Sequence, residues 1–558
     1  MYVTTTRKKY KDTYHEQILL RESYREDGQV KTRTIANLTN QPEHQVQALR
    51  IALKTKKDEP LISVNNQKQG FTVGFSLLIL FIAKLLGITT ALGKSFESKI
   101  AMMLIAARII LQSSRLQALY WSKEQDKILD IVKFTDEEKD NLTNKTIYKG
   151  LDYLYTNQEI IENKLFKSYY KKNPPKRVSY DVTSSYVEGD YEDSELVNYG
   201  YNRDKKKGKK QIVVGLLADE DGHAISIHTY AGNTNDVQTF VDQLDKLKNR
   251  FKLENITVVG DGGMIKSEDI QRIKELGYDY ITSIGKPSIK KLINDKDSKI
   301  DISLFDEELQ EIVEGDVRYI VRQNPIRRDE IRATRESKIA RVKEFIDIES
   351  NYYNTHYRAK QETIVKHINK KISNLKLGEF LSYTIEYKDG ECAVKNKNGE
   401  VTNKIKELAT ITILTDEEAK QEIERLDGCY VITTSLTDKD KDTKEDIHKA
   451  YKTLIKVENA FKTLKTEFLE IRPLYLRTDE RIKGHIFLSM LSYNIVLKLK
   501  GYIKDSELDF KSTVRELKMI TTTINTVDNS IVFETIAGVN ERLEKLFIKI
   551  GFKLPTRM

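Results

Sequence analysis

At 558 residues the chain is long enough for several domains with sizeable cores. Its 93 Lys+Arg against 84 Asp+Glu give a net charge of +9 and a pI near 8.9, a mild excess that permits a polyanionic partner without requiring one. Two cysteines, Cys392 and Cys429, exclude a disulfide scaffold and suit a reducing cytoplasm, and the opening MYVTTTRKKYKDTYHEQ lacks an apolar signal core.

Residues 1–60 read as an irregular, partly β segment with a turn at Gly28. From 61 to 175 the pattern is helical. Residues 71–92 approach the length of a membrane span, but Lys84, two glycines and several hydroxyl residues interrupt them, so a buried helix is expected. Ile147, Leu151, Leu154, Ile160, Ile161 and Leu165 recur at helical spacing. Asn173-Pro174-Pro175 closes the region, because proline has no amide donor and pushes the residue before it toward extended backbone.

Over 176–285 the pattern turns β-rich. RVSYDVTSSYVE, QIVVGLLADEDG and HAISIHTYAG read as strands, the last two joined by the turn Asp219-Glu220-Asp221-Gly222. A helix over 237–247, the strand ITVVGD, a helix over 267–276 and the strand YDYITSIG follow. The order β-β-β-α-β-α-β predicts an α/β fold, a mixed sheet flanked by helices. Residues 286–425 interrupt it with a charge-rich α+β insertion. There 327–343 reads as a solvated helix, KQETIVKHINKKISNL as a second helix, and LSYTIEYKDGECAVKNKNGEV as a hairpin turning at Asp389-Gly390. Over 426–500 the α/β pattern resumes with the strand CYVITTS, a helix carrying Glu458, and RIKGHIFLSMLSYNIVLKLK, apolar nearly all round and therefore buried. The tail, 501–558, alternates polar and helical pieces with no assigned place.

Three acids stand out. Asp181 lies mid-strand among Val178, Tyr180 and Val182, where aspartate is depleted; the plain alternative is a solvent-facing strand acid. Asp261 ends an apolar strand before Gly262-Gly263, at the strand end where α/β sheets bind ligands; the alternative is a turn or cap aspartate. Glu458 sits seven residues after Tyr451 and seven before Lys465, so on one continuous helix the three would share a face; alone it is an ordinary surface glutamate. Phosphodiester chemistry near neutral pH is served by two divalent cations about 4 Å apart on oxygen ligands, and three clustered carboxylates would repel one another without them. The eight histidines show no HxH or HExxH spacing, which argues against zinc. The basic run RDKKKGKK, 203–210, with Lys206 and Lys209, reads either as a phosphate-neutralising loop or as a solvated tip.

The stretches YDVTSSYVE, YGYNRDKKKGKKQIVVGLLADEDG, YAGNTNDVQTF, VVGDGGM, DGCYVITTS and VENAFKTLK fall in order across 176–500. On them the chain resembles an insertion-sequence DDE transposase with an RNase H-like catalytic domain, of the cut-and-paste group with a long insertion between the second Asp and the Glu. The resemblance implies Asp181, Asp261 and Glu458 as ligands of two Mg2+ ions, replaceable by Mn2+. Tyr451 and Lys465 would position DNA phosphate. In the family pattern Y-x2-R-x3-E-x6-K the arginine position is Leu454, which leaves Lys462 and Arg472 as the basic residues to replace it. The implied partners are double-stranded DNA, both inverted-repeat ends and target, and a second copy of the chain on that DNA. The implied place is the bacterial cytoplasm at the nucleoid, with no membrane, and the helical region 61–175 is the expected DNA-end-binding part. Two other readings share the pattern. An RNase H-like nuclease would not need the long insertion, and a non-catalytic DNA-binding descendant would have lost at least one acid.

Overall fold

The computed structural model describes residues 1–10, 13–54, 64–204, 206, 208–295, 298–395, 401–467, 469, 474–504, 506, 508–527 and 531–557. It divides into two compact units: Met1–Tyr169 with Leu464–Ile471 and Leu476–Met558, and Tyr170–Thr463 with Arg472–Tyr475.

The first unit opens with an antiparallel sheet of Tyr2–Tyr10, Thr13–Glu26 and Gln29–Asn37, in that order. Arg7–Glu16 (2.6 Å) and Arg33–Glu22 (2.7 Å) pair across its strands. Residues 71–92 contain two buried helices, Gly74–Leu85 and Ile88–Leu92. Asp479–Ile503 is the one helix among the described residues long and apolar enough to cross a membrane, but most of it is buried inside this unit. A helix apolar on nearly every side needs apolar neighbours all round, and it finds them in Phe96–Ile110 and Lys149–Tyr169. Gly484 lets it approach closely, since a Cβ there would strike the Leu151 carbonyl. The tail, unplaced from sequence, returns to the start: Thr521–Val527 pairs antiparallel with Val64–Thr72 on one side and Ile531–Ile536 on the other.

The second unit is built on eight strands: β1 (Arg177–Tyr186), β2 (Gln211–Asp219), β3 (Ala224–Ala231), β4 (Thr257–Val259), β5 (Asp279–Ile284), β6 (Gln310–Glu314), β7 (Val317–Gln323) and β8 (Cys429–Thr434). Their order in the sheet is β6-β7-β8-β5-β4-β1-β2-β3. Strands β1, β2 and β3 form an antiparallel meander, β4 and β5 run parallel to β1, and β8, β7 and β6 continue antiparallel. This is the mixed, RNase H-like sheet expected. Helix α1 (Asp236–Asp245) covers one face, where Tyr180 meets Phe240 with ring centroids 6.0 Å apart. Helices α2 (Ser267–Glu275), α3 (Lys444–Lys452) and α4 (Leu454–Lys462) complete the layers.

The insertion differs from its expected form in three ways. Strands β6 and β7 come from its first part yet belong to the main sheet, where Ile320 and Val321 are fully buried. The charge-rich helix is longer, Pro325–Thr355, and not solvated all round: Arg335, Ile339, Val342, Ile346 and Tyr353 form a buried stripe at 3- and 4-residue spacing. That stripe shares a core with Ile364, Ile368 and Ile372 of Gln361–Leu375. Finally, the hairpin does not turn at Asp389-Gly390. These residues pair with Glu407 and Lys406 inside two 15-residue strands, Leu381–Lys395 and Val401–Thr415. The competing turn dipeptide, Asn398-Gly399, lies outside the described residues.

Candidate active site

The register of the parallel strands brings the first two acids level. Ser179 on β1 faces Val259 on β4, and Val259 faces Ile281 on β5. Two residues further along each chain come Asp181, still within β1, Ser283, still within β5, and Asp261, in the turn just past the end of β4. Alternation puts Asp181 on the same face as Ser179, whose hydroxyl lies 3.1 Å from Thr453 Oγ1 at the junction of α3 and α4. Glu458 stands on α4, which packs on β1 through its buried face of Leu454, Val457, Ala460 and Phe461.

Several contacts hold that helical element against the sheet. The fully buried Arg318 on β7 pairs with Glu311 and donates to the carbonyls of Leu436 (3.2 Å) and Asp442 (2.7 Å). Arg177 reaches Asp442 at 3.2 Å, and a Thr443–Asp446 capping box starts α3. Gly262 is required by close approach, since a Cβ there would strike the Ser283 carbonyl. Asp261 Oδ1 accepts from the amides of Gly263 (3.0 Å) and Met264 (2.9 Å). The turn-aspartate alternative is therefore real for one of its oxygens.

Electrostatics ties the acids together. The Asp181 carboxyl is pushed up to about 7, mainly by burial and further by the charges of Asp261 and Glu458. The Val182 amide, donating to Oδ1 at 2.8 Å, and the Arg203 guanidinium hold it back. Tyr451 donates to Ser283 Oγ at 2.9 Å, and its hydroxyl pKa is raised by burial and by the same pair, Asp261 and Glu458. Asp181, Asp261, Glu458 and Tyr451 thus share one field. Among the described residues no three His, Cys, Asp or Glu side chains close on a single ion. The donor set is all carboxylate oxygen, suited to Mg2+ or Mn2+, and the mutual repulsion at Asp181 is the penalty a cation would remove.

The run carrying Tyr451, Glu458 and Lys465 is not one regular α-helix. The chain stays helical through Thr453 (φ −64°, ψ −19°) but tightens there, the Thr453 amide and hydroxyl (2.6 Å) both donating to Ala450 O, so Tyr451 lies at the end of α3 and Glu458 on α4. Lys465 follows in a wider π-helical turn, Thr463–Glu467, on the first unit's side of the division. Leu454, at the family arginine position, is buried with Val259, Ile281, Ile432 and Ile447. Lys462 is exposed in the last turn of α4, and Arg472 lies outside the described residues. Lys209 pairs with Glu188 at 2.6 Å, and exposed Lys206 lies 6.0 Å from the Tyr186 ring centre. Two residues of the site were not singled out from sequence. Ser283 could have been found from its place at the carboxyl end of a parallel strand. Arg203 was hidden inside a run of lysines. It donates to Asp236 Oδ2 at 2.5 Å.

Residues 172–495, more than half the chain, match the family described as "Transposase DDE domain", and residues 3–62 match "IS1634 family transposase, N-terminal domain". No curated protein matches the chain. Among solved structures it is similar to a "Mos1 transposase paired-end complex with left transposon end", at 12% identity and a TM-score of 0.14. That likeness covers 30% of this chain and 59% of the other.

Proposed function

Because the chain belongs to the DDE transposases and carries an insertion-sequence N-terminal domain, we propose that it excises and inserts its own element by cut-and-paste at the inverted-repeat ends. Metal-dependent DNA cleavage and strand transfer are the activity of the family. What supports the finer reading is the placement of Asp181 on β1, Asp261 just past β4 on the neighbouring strand, and Glu458 on the helix packed against β1. These three carboxylates are the proposed holders of two Mg2+ or Mn2+ ions. Bound there, the ions would activate water or a 3′-hydroxyl and stabilise the leaving oxygen.

The chain's own groups account for the rest. Asp261 is oriented by two backbone amides of its turn, both donating to Oδ1, and its second oxygen is the one proposed to take the ion. Tyr451, whose hydroxyl donates to Ser283 in the free protein, would turn that one proton to a phosphate oxygen when DNA binds. Lys462, Lys465, Arg472, Lys206 and Lys209 are proposed to neutralise DNA backbone, and the region 61–175 to bind the element's end. Two ends must be cut and joined together, so we assign the active form to a homodimer on DNA. Buried thiols at Cys392 and Cys429, neither in a disulfide, support a place in the reducing cytoplasm beside the nucleoid.

Incubating the protein and Mg2+ with duplexes spanning the element's ends tests this. Cleavage at the repeat boundary is expected. Degradation indifferent to sequence would point to a general nuclease instead.

A further inference from the structure

The three most exposed tyrosines among the described residues gather at one end of β1. Tyr201 is 83% exposed, Tyr475 67% and Tyr199 63%. Tyr199 and Tyr201 lie on the connection from β1 to β2, and Tyr475 follows Leu474, which bridges to Val187 just past β1. The backbone of the connection is held by hydrogen bonds where it carries Tyr201. Asn198 pairs with Gln211, and Gly200 packs so closely on the Gly232 carbonyl that no Cβ would fit. The buried Gln211 side chain donates to the Tyr201 carbonyl (3.2 Å) and the Gly232 carbonyl (2.8 Å). Two residues later Arg203 lies 6.0 Å from the Tyr201 ring centre, its amide fixed by Ser184 Oγ at 2.9 Å and its guanidinium by Asp236. A guanidinium has five donors, so the Asp236 contact leaves edges for a second anion.

A ring 83% exposed on a backbone held in place contributes little burial to the fold. Rings beside an oriented arginine, in a basic segment, match the chemistry of single-stranded nucleic acid: π-faces for bases, cations for phosphates. Gln211 faces Tyr186, five residues along β1 from Asp181. That is roughly 17 Å of strand, a span of about five base pairs at the duplex rise of about 3.4 Å and of fewer nucleotides in an extended single strand.

We propose that Tyr201, flanked by Tyr199 and Tyr475, is a stacking platform for unpaired bases of the DNA within about five nucleotides of the cut, and that Arg203 holds the adjoining phosphate. This rests on the transposase reading and adds where the opened strand is gripped.

The test compares full-length protein binding to a single-stranded oligonucleotide of about 20 nucleotides and to an abasic oligonucleotide of equal length and charge. Wild type is expected to prefer the base-bearing strand about tenfold, the scale of one stacked base. Tyr201→Ala should remove that preference while leaving abasic binding unchanged, and Tyr201→Phe should retain it. A Tyr201→Ala protein that keeps the preference, or that weakens on both strands alike, overturns the platform. Mg2+-dependent cleavage of element-end duplexes by wild type is followed in parallel. Its failure would strike the transposase reading, whereas cleavage together with an unchanged base preference would strike the platform alone.

Discussion

Asp181 is a half-buried carboxylate on a central strand with two other acids in range, and it holds its proton up to about pH 7. Its folded pKa lies above the ordinary value of 3.8, so its contribution to stability is full below about pH 4 and is lost as pH rises through 7. The metal-free protein therefore carries a cost at pH 8 that asparagine would not. Thermal unfolding in EDTA should find Asp181→Asn folded and more stable than wild type at pH 8, by a few kcal/mol at most, with cleavage abolished. An unfolded variant would make Asp181 a structural residue. Leu454 supplies a second test at this scale. Restoring the family arginine would push a charge among Val259, Ile281 and Ile432. Leu454→Arg should lower stability by about 2–4 kcal/mol, a cost set by desolvation, and should not raise cleavage. Higher cleavage with intact stability would show that the position reaches DNA.

Among the elements, the β-β-β-α-β-α-β order was legible because each strand carries a compact apolar run and each helix its own period. The parallel register then decides the site. Asp181 and Asp261 were visible as acids where acids are rare, yet only the pairing Ser179–Val259 shows them to be level. What stayed hidden depends on partners distant in sequence. The tail strand Thr521–Val527 is completed by Val64–Thr72, some 450 residues earlier, which no local pattern announces. The Tyr451–Glu458–Lys465 spacing presumes a regular α-helix, whereas the run tightens at Thr453 and widens into a π-turn from Thr463. Asp389-Gly390 misled because a turn dipeptide can sit inside a long strand when another follows it. The loop after β4 offers the test proper to this scale. Gly262→Ala places a Cβ against the Ser283 carbonyl and must shift the turn carrying Asp261. Cleavage should fall by at least about 100-fold, the scale of an ångström's misplacement, with stability lowered by about 1–3 kcal/mol. Unchanged cleavage would mean that the turn does not set the position of Asp261.

For the whole molecule, a net charge of +9 on 558 residues is too diffuse to explain DNA binding by itself, so local clusters must carry it. Duplex affinity should fall linearly in log–log form with salt. Replacing Lys206 and Lys209 with alanine should reduce the slope by about 2, nearly one unit for each phosphate no longer neutralised. Lys209 already pairs with Glu188, an exposed ion pair that contributes little and that phosphate can displace. An unchanged slope would remove that loop from the interface.

The joint action of the three acids is tested most directly by Mn2+ uptake, read from loss of the free-ion EPR signal in metal-free full-length protein. Wild type should take up two ions, and Asp181→Asn, Asp261→Asn and Glu458→Gln should each weaken uptake by more than about tenfold, a loss that outer-shell changes alone can cause. A Glu458→Gln protein that binds both ions as wild type does would contradict the account.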